Sequence, residues 1–385
     1  MIEPAAALDQ PWRHWAAGRP AFAGAHLDSA AAGRMSTAVQ QAMTDHLSRE
    51  SQVGAYVAEA EAGPVIVAGR AALGLLLGLP TEGIAFVESA SAALRALLDA
   101  WPLPESATVA VAPSEWGPNL RAFRMRGLNV RTLPVDKVGL IDLDALARLL
   151  ASDPPSLVHV THVAAHRGLI QPIDEIVAIC RAAGAPVWVD AAQALGHVAV
   201  VSSVAAVSSA DAVYATSRKW LCGPRGVGVL GIAERWWPQL RAEPLVLAPD
   251  RPVVARLESD EANVAGRVGL CIAVAEYLDT GTVDVQHRLA VVGSLIRDAV
   301  STLTGWRLVP SSPSFGAIVA IEPTGGQDVT AERRRLLSDH QILVTASQPA
   351  RAPLELTAPS LRISAHVDLT ATQLEELIRA LSCGL

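Results

Sequence analysis

The sequence predicts an α/β fold, in which helices cover a mostly parallel central sheet and a smaller α+β domain follows. Between residues 84 and 231, short β-branched runs alternate with longer stretches of helical spacing. These strand candidates are almost continuously apolar, which is typical of parallel strands buried on both faces. After Trp236-Trp237-Pro238 the chain becomes rich in Pro, Arg and acidic residues, which indicates a change of domain.

The individual elements follow from this pattern. Strands of the large sheet are predicted over 84–87, 108–112, 130–133, 157–160, 187–189, 212–214 and 226–231. Helices are predicted over 143–150, 173–183, 263–280, 286–302, 331–337 and 371–381, and small-domain strands over 317–321 and 361–364. We therefore expect an N-terminal segment (1–24) packing with the small domain, a large domain (25–245) and a small domain (246–385).

Composition excludes several classes of function. With 51% apolar and 18% charged residues, a net charge of −7 and no basic stripe, the chain is not expected to bind nucleic acid. Its four cysteines are far apart and lack metal-ligand spacing, so no metal site is predicted. The start of the chain lacks the features of a signal peptide, and no membrane span is predicted. The expected location is the cytoplasm.

One of only two lysines in the chain, Lys219, follows a predicted strand end in the segment Tyr214–Trp220. Arginine supplies nearly all of the other positive charge. A surface cation can be Arg or Lys, but only an amine can hold a carbonyl or an aldehyde cofactor as a Schiff base. This favours a catalytic amine at Lys219, against a composition bias that happened to spare two sites.

Other polar residues follow neighbouring strand ends, where ligands of such sheets collect. Asp190 can cap the next helix or can be the anionic partner of a pyridinium nitrogen, with Gln193 in reach of the ring oxygen. Ser89 opens a helix whose N-terminus can bind phosphate, and Ser217 and Arg218 can add a hydroxyl and a cation.

Aromatic residues and histidines offer further candidates. Trp116, after the strand 108–112, can stack on a flat cofactor ring or pack as an apolar body. His159, His162 and His166 have spacings of three and four, which imitate a metal site on a helix. Because this segment is predicted as a strand, His159 and His162 point to opposite faces. A zinc site is not expected, and His162 or His166 can instead line the pocket.

With these residues in place, the chain resembles the class V aminotransferase family of fold-type I pyridoxal-phosphate enzymes over most of its length. The most specific matches are the segments 189–193, 217–219 and 223–228. The resemblance implies the fold-type I architecture and pyridoxal 5'-phosphate as cofactor. It also implies a homodimer with active sites at the interface and an amino-acid substrate.

The resemblance implies roles for individual residues. Lys219 carries the Schiff base and removes the substrate's α-proton, Asp190 pairs with the pyridine nitrogen, and Gln193 contacts the phenolate oxygen. Arg362 holds the substrate's α-carboxylate, a task that suits its bidentate fork. The remaining implied contacts are the phosphate ligands Ser89, Ala90, Ser91 and Ser217, the ring-face residue Trp116, and the substrate-side residues Asp28 and Ala31.

Three departures from the family pattern matter. Ala164-Ala165 stands where the family has a Ser-Asn pair, so one contact is missing or has moved to a histidine. Asp260-Glu261 stands where a neighbouring subunit's Gly-Thr touches the phosphate, and acids there would repel it. The stretch 344–350 lacks the nucleophilic cysteine of desulfurases, which makes persulfide chemistry improbable.

Within the family the chain is most similar to the C–S lyases that cleave hercynylcysteine sulfoxide in ergothioneine biosynthesis. An epimerase, a kynureninase-like hydrolase and a non-catalytic relative remain as alternatives. The substrate of those lyases carries a trimethylammonium group, which favours aromatic faces and carboxylates. We therefore expect Asp260, Glu261 and one or more of the nine tryptophans to accept this cation, whereas Trp236 and Trp237 are expected to pack.

Overall fold

The computed structural model describes residues 8, 12–200, 210–244, 248–310 and 316–383. A seven-stranded sheet forms its centre, with strand order β2-β8-β7-β6-β5-β3-β4, and only β8 runs opposite to its neighbours. Its strands are β2 (Ile84–Val87), β3 (Thr108–Val111), β4 (Asn129–Thr132), β5 (Leu157–Thr161), β6 (Val187–Asp190), β7 (Ala212–Thr216) and β8 (Gly228–Ile232). The predicted α/β class with a mostly parallel sheet is confirmed.

Both faces of this sheet are buried, as its apolar strands predict. In β6, Val187 and Val189 belong to one buried cluster, while Trp188 between them belongs to the cluster on the other face. Alternation along a strand therefore supplies two cores from one continuous apolar run. The covering helices are α1 (Arg13–Ala17), α2 (Thr37–Val53), α3 (Ala55–Leu77), α4 (Ala90–Ala100), α5 (Gly117–Met125), α6 (Leu143–Ser152), α7 (Ile173–Ala182) and α8 (Val264–Thr280).

The C-terminal part builds a second layer around a four-stranded antiparallel sheet of order β12-β13-β10-β9. A separate pair joins β1 (Ala25–His26) to β11 in parallel. The elements of this part are α9 (Thr282–Ser301), β9 (Trp306–Leu308), β10 (Ile318–Pro323), α10 (Val329–His340), β11 (Ile342–Leu343), β12 (Thr345–Ser347), β13 (Ser360–Ser364) and α11 (Ala371–Ser382).

Several contacts cross the predicted domain boundaries, and the division into domains stays a prediction. The N-terminal segment meets the C-terminal part, because Leu8 joins its core and Trp15 stacks on His366 with 5.0 Å between ring centroids. Strand β1, which lies in the predicted large domain, pairs with β11 of the C-terminal part. Helix α8, which lies in the predicted small domain, packs against α2 and α3. The proposed boundary at 245–246 lies outside the described residues.

Helix α3 is the element that the periodicity analysis missed most clearly. Among the described residues it alone has the length and composition of a membrane span, with 22% of its apolar window buried. One such helix is weak evidence of a membrane protein, since core helices pass the same test. Its exposed apolar side chains include Val57, Val67 and Leu75.

Candidate active site

The Lys219 side chain is partly buried and lines a cavity of about 230 Å³, three residues beyond the end of β7. Burial, the largest effect, lowers the pKa of its amine to about 7, with Arg218 adding to the shift and Asp190 opposing it. The preceding residue is fixed by a hydrogen bond from Gly33 N to Arg218 O of 2.7 Å. A Cβ at Gly33 would lie 2.3 Å from Lys219 O, so the two segments approach in a way that glycine permits.

Asp190 ends the neighbouring strand β6, and its buried carboxylate is held on both oxygens. Oδ1 accepts a hydrogen bond from Ala192 N, and Oδ2 accepts one from Asn119 Nδ2, each at 2.9 Å. The side chain is therefore held in a fixed orientation, facing the same cavity as Lys219.

Gln193 is oriented by two hydrogen bonds. Its Oε1 accepts from Trp220 Nε1 and its Nε2 donates to Ala30 O, both at 2.8 Å. This fixes which end of the amide is the donor, and Nε2 keeps a second N–H for another acceptor. Gln193 lines the cavity, so that N–H can serve a ligand oxygen there.

The N-terminus of α4 forms one wall of the cavity through Ser89, Ala90 and Ser91. Ser89 is the N-cap, and its hydroxyl oxygen accepts from Ala92 N at 3.1 Å. The free N–H groups and the dipole of this 11-residue helix favour an anion. Arg218 lines the same cavity and adds a cation, whose pKa is lowered by burial first and then by Arg225.

Trp116 forms another wall at the start of α5. The guanidinium carbon of Arg351 lies 5.6 Å from the centroid of the Trp116 ring. Burial, followed by the charge of Arg362, lowers the pKa of Arg351 to about 10. A Cβ at Gly117 would lie 2.1 Å from Ala350 O, which shows how closely the 349–351 turn packs onto this wall.

Arg362 on β13 is fully buried between the two parts of the chain. Its Nη1 donates to Ala165 O at 2.8 Å and its Nη2 to Asp28 Oδ1 at 3.0 Å. Its Nε has no hydrogen-bond partner among the described residues. Asp28 is itself fixed, because its Oδ1 accepts from Thr345 Oγ1 and its backbone oxygen accepts from Ala31 N.

Several predicted site residues are not brought to this cavity. The hydroxyl of Ser217 donates to Pro224 O at 2.5 Å, and the neighbouring Thr216 lines the cavity instead. Asp260 and Glu261 are exposed, and Asp260 Oδ1 pairs with Arg251 Nη1 at 3.1 Å.

Neither candidate histidine lines the cavity. His162 is buried with an unpartnered Nδ1 among the described residues, and burial lowers the pKa of its ring to about 4. His166 Nε2 lies 2.6 Å from Glu355 Oε1, and burial is the main cause that lowers its pKa. Neither ring therefore replaces the family's Ser-Asn pair in the cavity, where Ala165 contributes its surface.

The sequence reasoning missed a set of polar residues behind Asp190. Asn119 and Thr161 line the cavity, and both donate to the buried carboxylate of Glu115, at 2.9 and 2.8 Å. His159 lies 2.9 Å from Glu115 and 2.9 Å from Tyr214. The available signal was the position of Glu115 and Asn119 near Trp116, four and eight residues past the end of β3. Only Trp116 was singled out there.

The cavity fits pyridoxal phosphate in each part of its chemistry. It presents a buried amine with a lowered pKa, a fixed carboxylate, an aromatic wall and a helix N-terminus beside an arginine. These match an aldehyde, a pyridinium nitrogen, a flat ring and a phosphate. Among the described residues, no group of three or more His, Cys, Asp or Glu side chains could hold a metal ion.

The family profile of the aminotransferase class-V enzymes matches residues 25–377. The chain therefore belongs to the aminotransferase class-V family, whose cofactor is pyridoxal phosphate. This confirms the resemblance that rested on the segments around Asp190 and Lys219.

The chain matches curated relatives over most of its length. It is 44% identical over 371 residues to a probable hercynylcysteine sulfoxide lyase of Mycobacterium tuberculosis, covering 95% of this chain and 92% of that protein. It is 29% identical over 350 residues to isopenicillin N epimerase of Amycolatopsis lactamdurans, covering 83% of this chain and 84% of that protein.

Solved structures confirm the fold. The cysteine desulfurase CsdA of Escherichia coli has a TM-score of 0.83 at 22% identity, covering 97% of this chain and 98% of that one. The cystine C–S lyase C-DES, in complex with its product cysteine persulfide, has a TM-score of 0.81 at 17% identity, with coverage of 93% and 97%.

Proposed function

We propose that the chain is a pyridoxal-phosphate-dependent C–S lyase that cleaves hercynylcysteine sulfoxide by β-elimination. The observation that carries the proposal is the 44% identity to a probable lyase of that name over 95% of this chain. The cavity supports it, because a buried amine, an anion for the ring nitrogen and a phosphate cup meet at Lys219. The products are a sulfenate, pyruvate and ammonia, and a two-electron reductant converts the sulfenate to the thiol ergothioneine.

When bound, the cofactor supplies an electron sink for the charge that develops at the substrate's α-carbon. Lys219 would hold the cofactor and then remove the α-proton, a task for which its lowered pKa of about 7 leaves roughly half of the amine unprotonated near neutral pH. Asp190 supports the sink with its fixed negative charge. The C–S bond breaks as the electron pair leaves with sulfur, and a sulfenate leaves more readily than a thiolate.

Three arginines supply the anion contacts of the proposed reaction. Arg218 is proposed to serve the phosphate, and Arg362 the α-carboxylate, with Nε free among the described residues. Arg351 makes no side-chain hydrogen bond or ion pair among the described residues and lies over Trp116. We propose that it contacts the second carboxylate of the substrate, which lies beside the trimethylammonium group. Phosphate contacts from Ser89, Ala90, Ser91 and Ser217 remain part of the proposal, although the Ser217 hydroxyl turns to Pro224.

Desulfurase chemistry is not supported at this cavity. The turn around Arg351 and strand β12 contain no cysteine. Three cysteines of the described chain are buried, none lines the cavity, and burial raises the pKa of Cys180 and Cys271 to about 12 and of Cys222 to about 11. A persulfide-forming thiolate needs an exposed, low-pKa environment.

Pyruvate formation tests the reaction type. The purified holoenzyme is expected to release one pyruvate per hercynylcysteine sulfoxide and none from kynurenine or cysteine. Alanine from kynurenine would identify a hydrolase, persulfide from cysteine a desulfurase, and inversion of an amino acid without pyruvate an epimerase; each would overturn the proposal.

We also propose a cytoplasmic homodimer with active sites at the subunit interface. The exposed apolar face of α3 supports it, because Val57, Val67 and Leu75 leave a surface that a second copy can cover. In this dimer we propose that the exposed loop of Asp260 and Glu261 reaches the neighbouring active site, where Asp260 exchanges its ion pair with Arg251 for the substrate's trimethylammonium group.

A further inference from the structure

Five buried side chains form a connected cluster behind the cofactor cavity, which we call the carboxylate ring. Its members are Asp190, Asn119, Glu115, His159 and Tyr214. Asn119 Nδ2 is 2.9 Å from Asp190 Oδ2 and 2.9 Å from Glu115 Oε1. His159 Nδ1 is 2.9 Å from Glu115 Oε2, and its Nε2 is 2.9 Å from Tyr214 Oη. Tyr214 pairs with Asp190 across β7 and β6, and burial first, then the charge of Asp190, raises the pKa of the Tyr214 hydroxyl.

The number of protons available in the carboxylate ring links the position of the Tyr214 proton to the protonation of His159. The Tyr214 hydroxyl has one proton and two acceptors beside it, His159 Nε2 and the Asp190 carboxylate. If the proton points to Asp190, Nε2 must carry its own proton to keep the 2.9 Å contact with Tyr214. Because Nδ1 already faces Glu115, His159 is then an imidazolium, and Glu115 supplies its counter-charge.

Glu115 is built to remain charged although it is fully buried. Besides the contacts with Asn119 and His159, its Oε1 accepts from Thr161 Oγ1 and from Trp116 N, both at 2.8 Å. Burial raises the pKa of Glu115, but the charge and hydrogen bonds of its partners outweigh burial and leave it below its usual value. A glutamine side chain would fill the same space without the free-energy cost of burying a charge. The negative charge of Glu115 is therefore expected to have an electrostatic role.

We propose that Glu115 and His159 are positioning residues that act through Tyr214 and Asn119 to keep Asp190 ionised, and so keep the cofactor's ring nitrogen protonated. An ionised Glu115 stabilises the His159 imidazolium, which turns the Tyr214 proton toward Asp190. Two donors, Asn119 and Tyr214, then stabilise the Asp190 charge from behind the cavity. The inference rests on cofactor binding in the proposed function, and it is independent of the substrate.

The protonation of the cofactor nitrogen tests the proposal without turnover. We would load the holoenzyme with pyridoxal phosphate labelled with ¹⁵N in its ring and record the ring resonance by NMR, with no substrate present. In Glu115→Gln the resonance is expected to move from the protonated position toward the position seen in Asp190→Asn. The exposed Glu105→Gln is the matched control, in which the resonance is expected to stay.

A second variant keeps the proposal testable if Glu115→Gln does not fold. Tyr214→Phe removes one hydroxyl and is expected to shift the resonance in the same direction, with the dissociation constant of the cofactor measured in parallel. If both variants bind the cofactor and keep the wild-type resonance, the proposal is wrong, even if they are less stable to heat. Because no substrate is used, failure of the lyase reaction would not be mistaken for failure of this inference.

Discussion

Arg362 donates from Nη2 to Asp28 Oδ1 at 3.0 Å, and this pair joins the chain just after β1 to β13 of the small sheet. The arginine thus has an anionic partner before a substrate arrives. Its Nη1 is occupied by Ala165 O, while Nε is buried and has no hydrogen-bond partner among the described residues. The proposed contact of the substrate carboxylate with Nε would leave the pair in place.

The first prediction concerns this arginine. Arg362→Lys keeps the positive charge but loses the fork that holds Asp28 and Ala165 together. We expect the KM for the amino-acid substrate to rise roughly tenfold to a hundredfold, as for about 1.5–3 kcal/mol per charged hydrogen bond. Cofactor absorbance should persist. The exposed Arg307→Lys is the control, and an unchanged KM in Arg362→Lys would exclude the carboxylate role.

The second prediction concerns the pH at which the cofactor-free protein captures pyridoxal phosphate. Only the neutral amine of Lys219 attacks the aldehyde, and burial lowers its pKa from 10.5 to about 7. The capture rate, measured by stopped-flow absorbance, should rise with pH and level off just above a midpoint near 7. A rate still rising steeply up to about pH 10 would show that the amine is not desolvated.

The same shift makes a prediction about stability. The unfolded state binds more protons than the folded state between the folded pKa of about 7 and the ordinary 10.5. Stability of the cofactor-free protein therefore rises with pH through this window, because the burial penalty is complete below it and fades above it. Urea unfolding should show this slope in the wild type and a flatter one in Lys219→Met. Equal slopes would contradict the assignment.

The third prediction concerns the trimethylammonium group of the substrate. Replacing both acids, Asp260→Asn with Glu261→Gln, should raise the KM for the betaine substrate several-fold, because two carboxylates near a cation are lost. An S-alkyl cysteine sulfoxide without the cation should be affected less. The double variant Glu375→Gln with Glu376→Gln removes the same charge elsewhere and serves as control. An unchanged KM in the Asp260→Asn, Glu261→Gln variant would contradict the proposed contact with the trimethylammonium group.

The fourth prediction concerns the exposed face of α3. Val67 and Leu75 are eight residues apart, so they lie on one face of the helix, and they are 63% and 57% exposed. Val67→Glu with Leu75→Glu should convert a dimer to a monomer, as measured by light scattering after gel filtration. A wild-type monomer, or a variant dimer with full activity, would place the interface elsewhere.

The architecture was predictable because buried parallel strands appear in the sequence as short, continuous apolar runs. Each predicted strand of the large sheet overlaps an observed one, and Asp190, Trp116 and Ser89 could be placed at strand ends before any contact was known. Helix α3 was not predicted because its own apolar, glycine and alanine residues occur on all of its faces. The sequence therefore lacks the 3.6-residue period that marks a surface helix.

The carboxylate ring could not be predicted because its contacts cross between strands. Glu115 and His159 are 44 residues apart, and His159 and Tyr214 are 55 apart, so only the strand order brings them together. Side-chain direction was equally hidden. Ser217 and Thr216 are adjacent hydroxyl residues, yet only the backbone geometry after β7 decides which one faces the cavity.

The central claim is that Lys219 is the amine that holds the cofactor and carries out the proton transfer. Borohydride reduction fixes an aldehyde cofactor to its amine, and the chain has only one other lysine, Lys137. Peptide mass spectrometry should find the pyridoxyl group on Lys219 alone, and Lys219→Ala should lose both the label and pyruvate release. Label on Lys137, or pyruvate release at the wild-type rate by Lys219→Ala, would contradict the account.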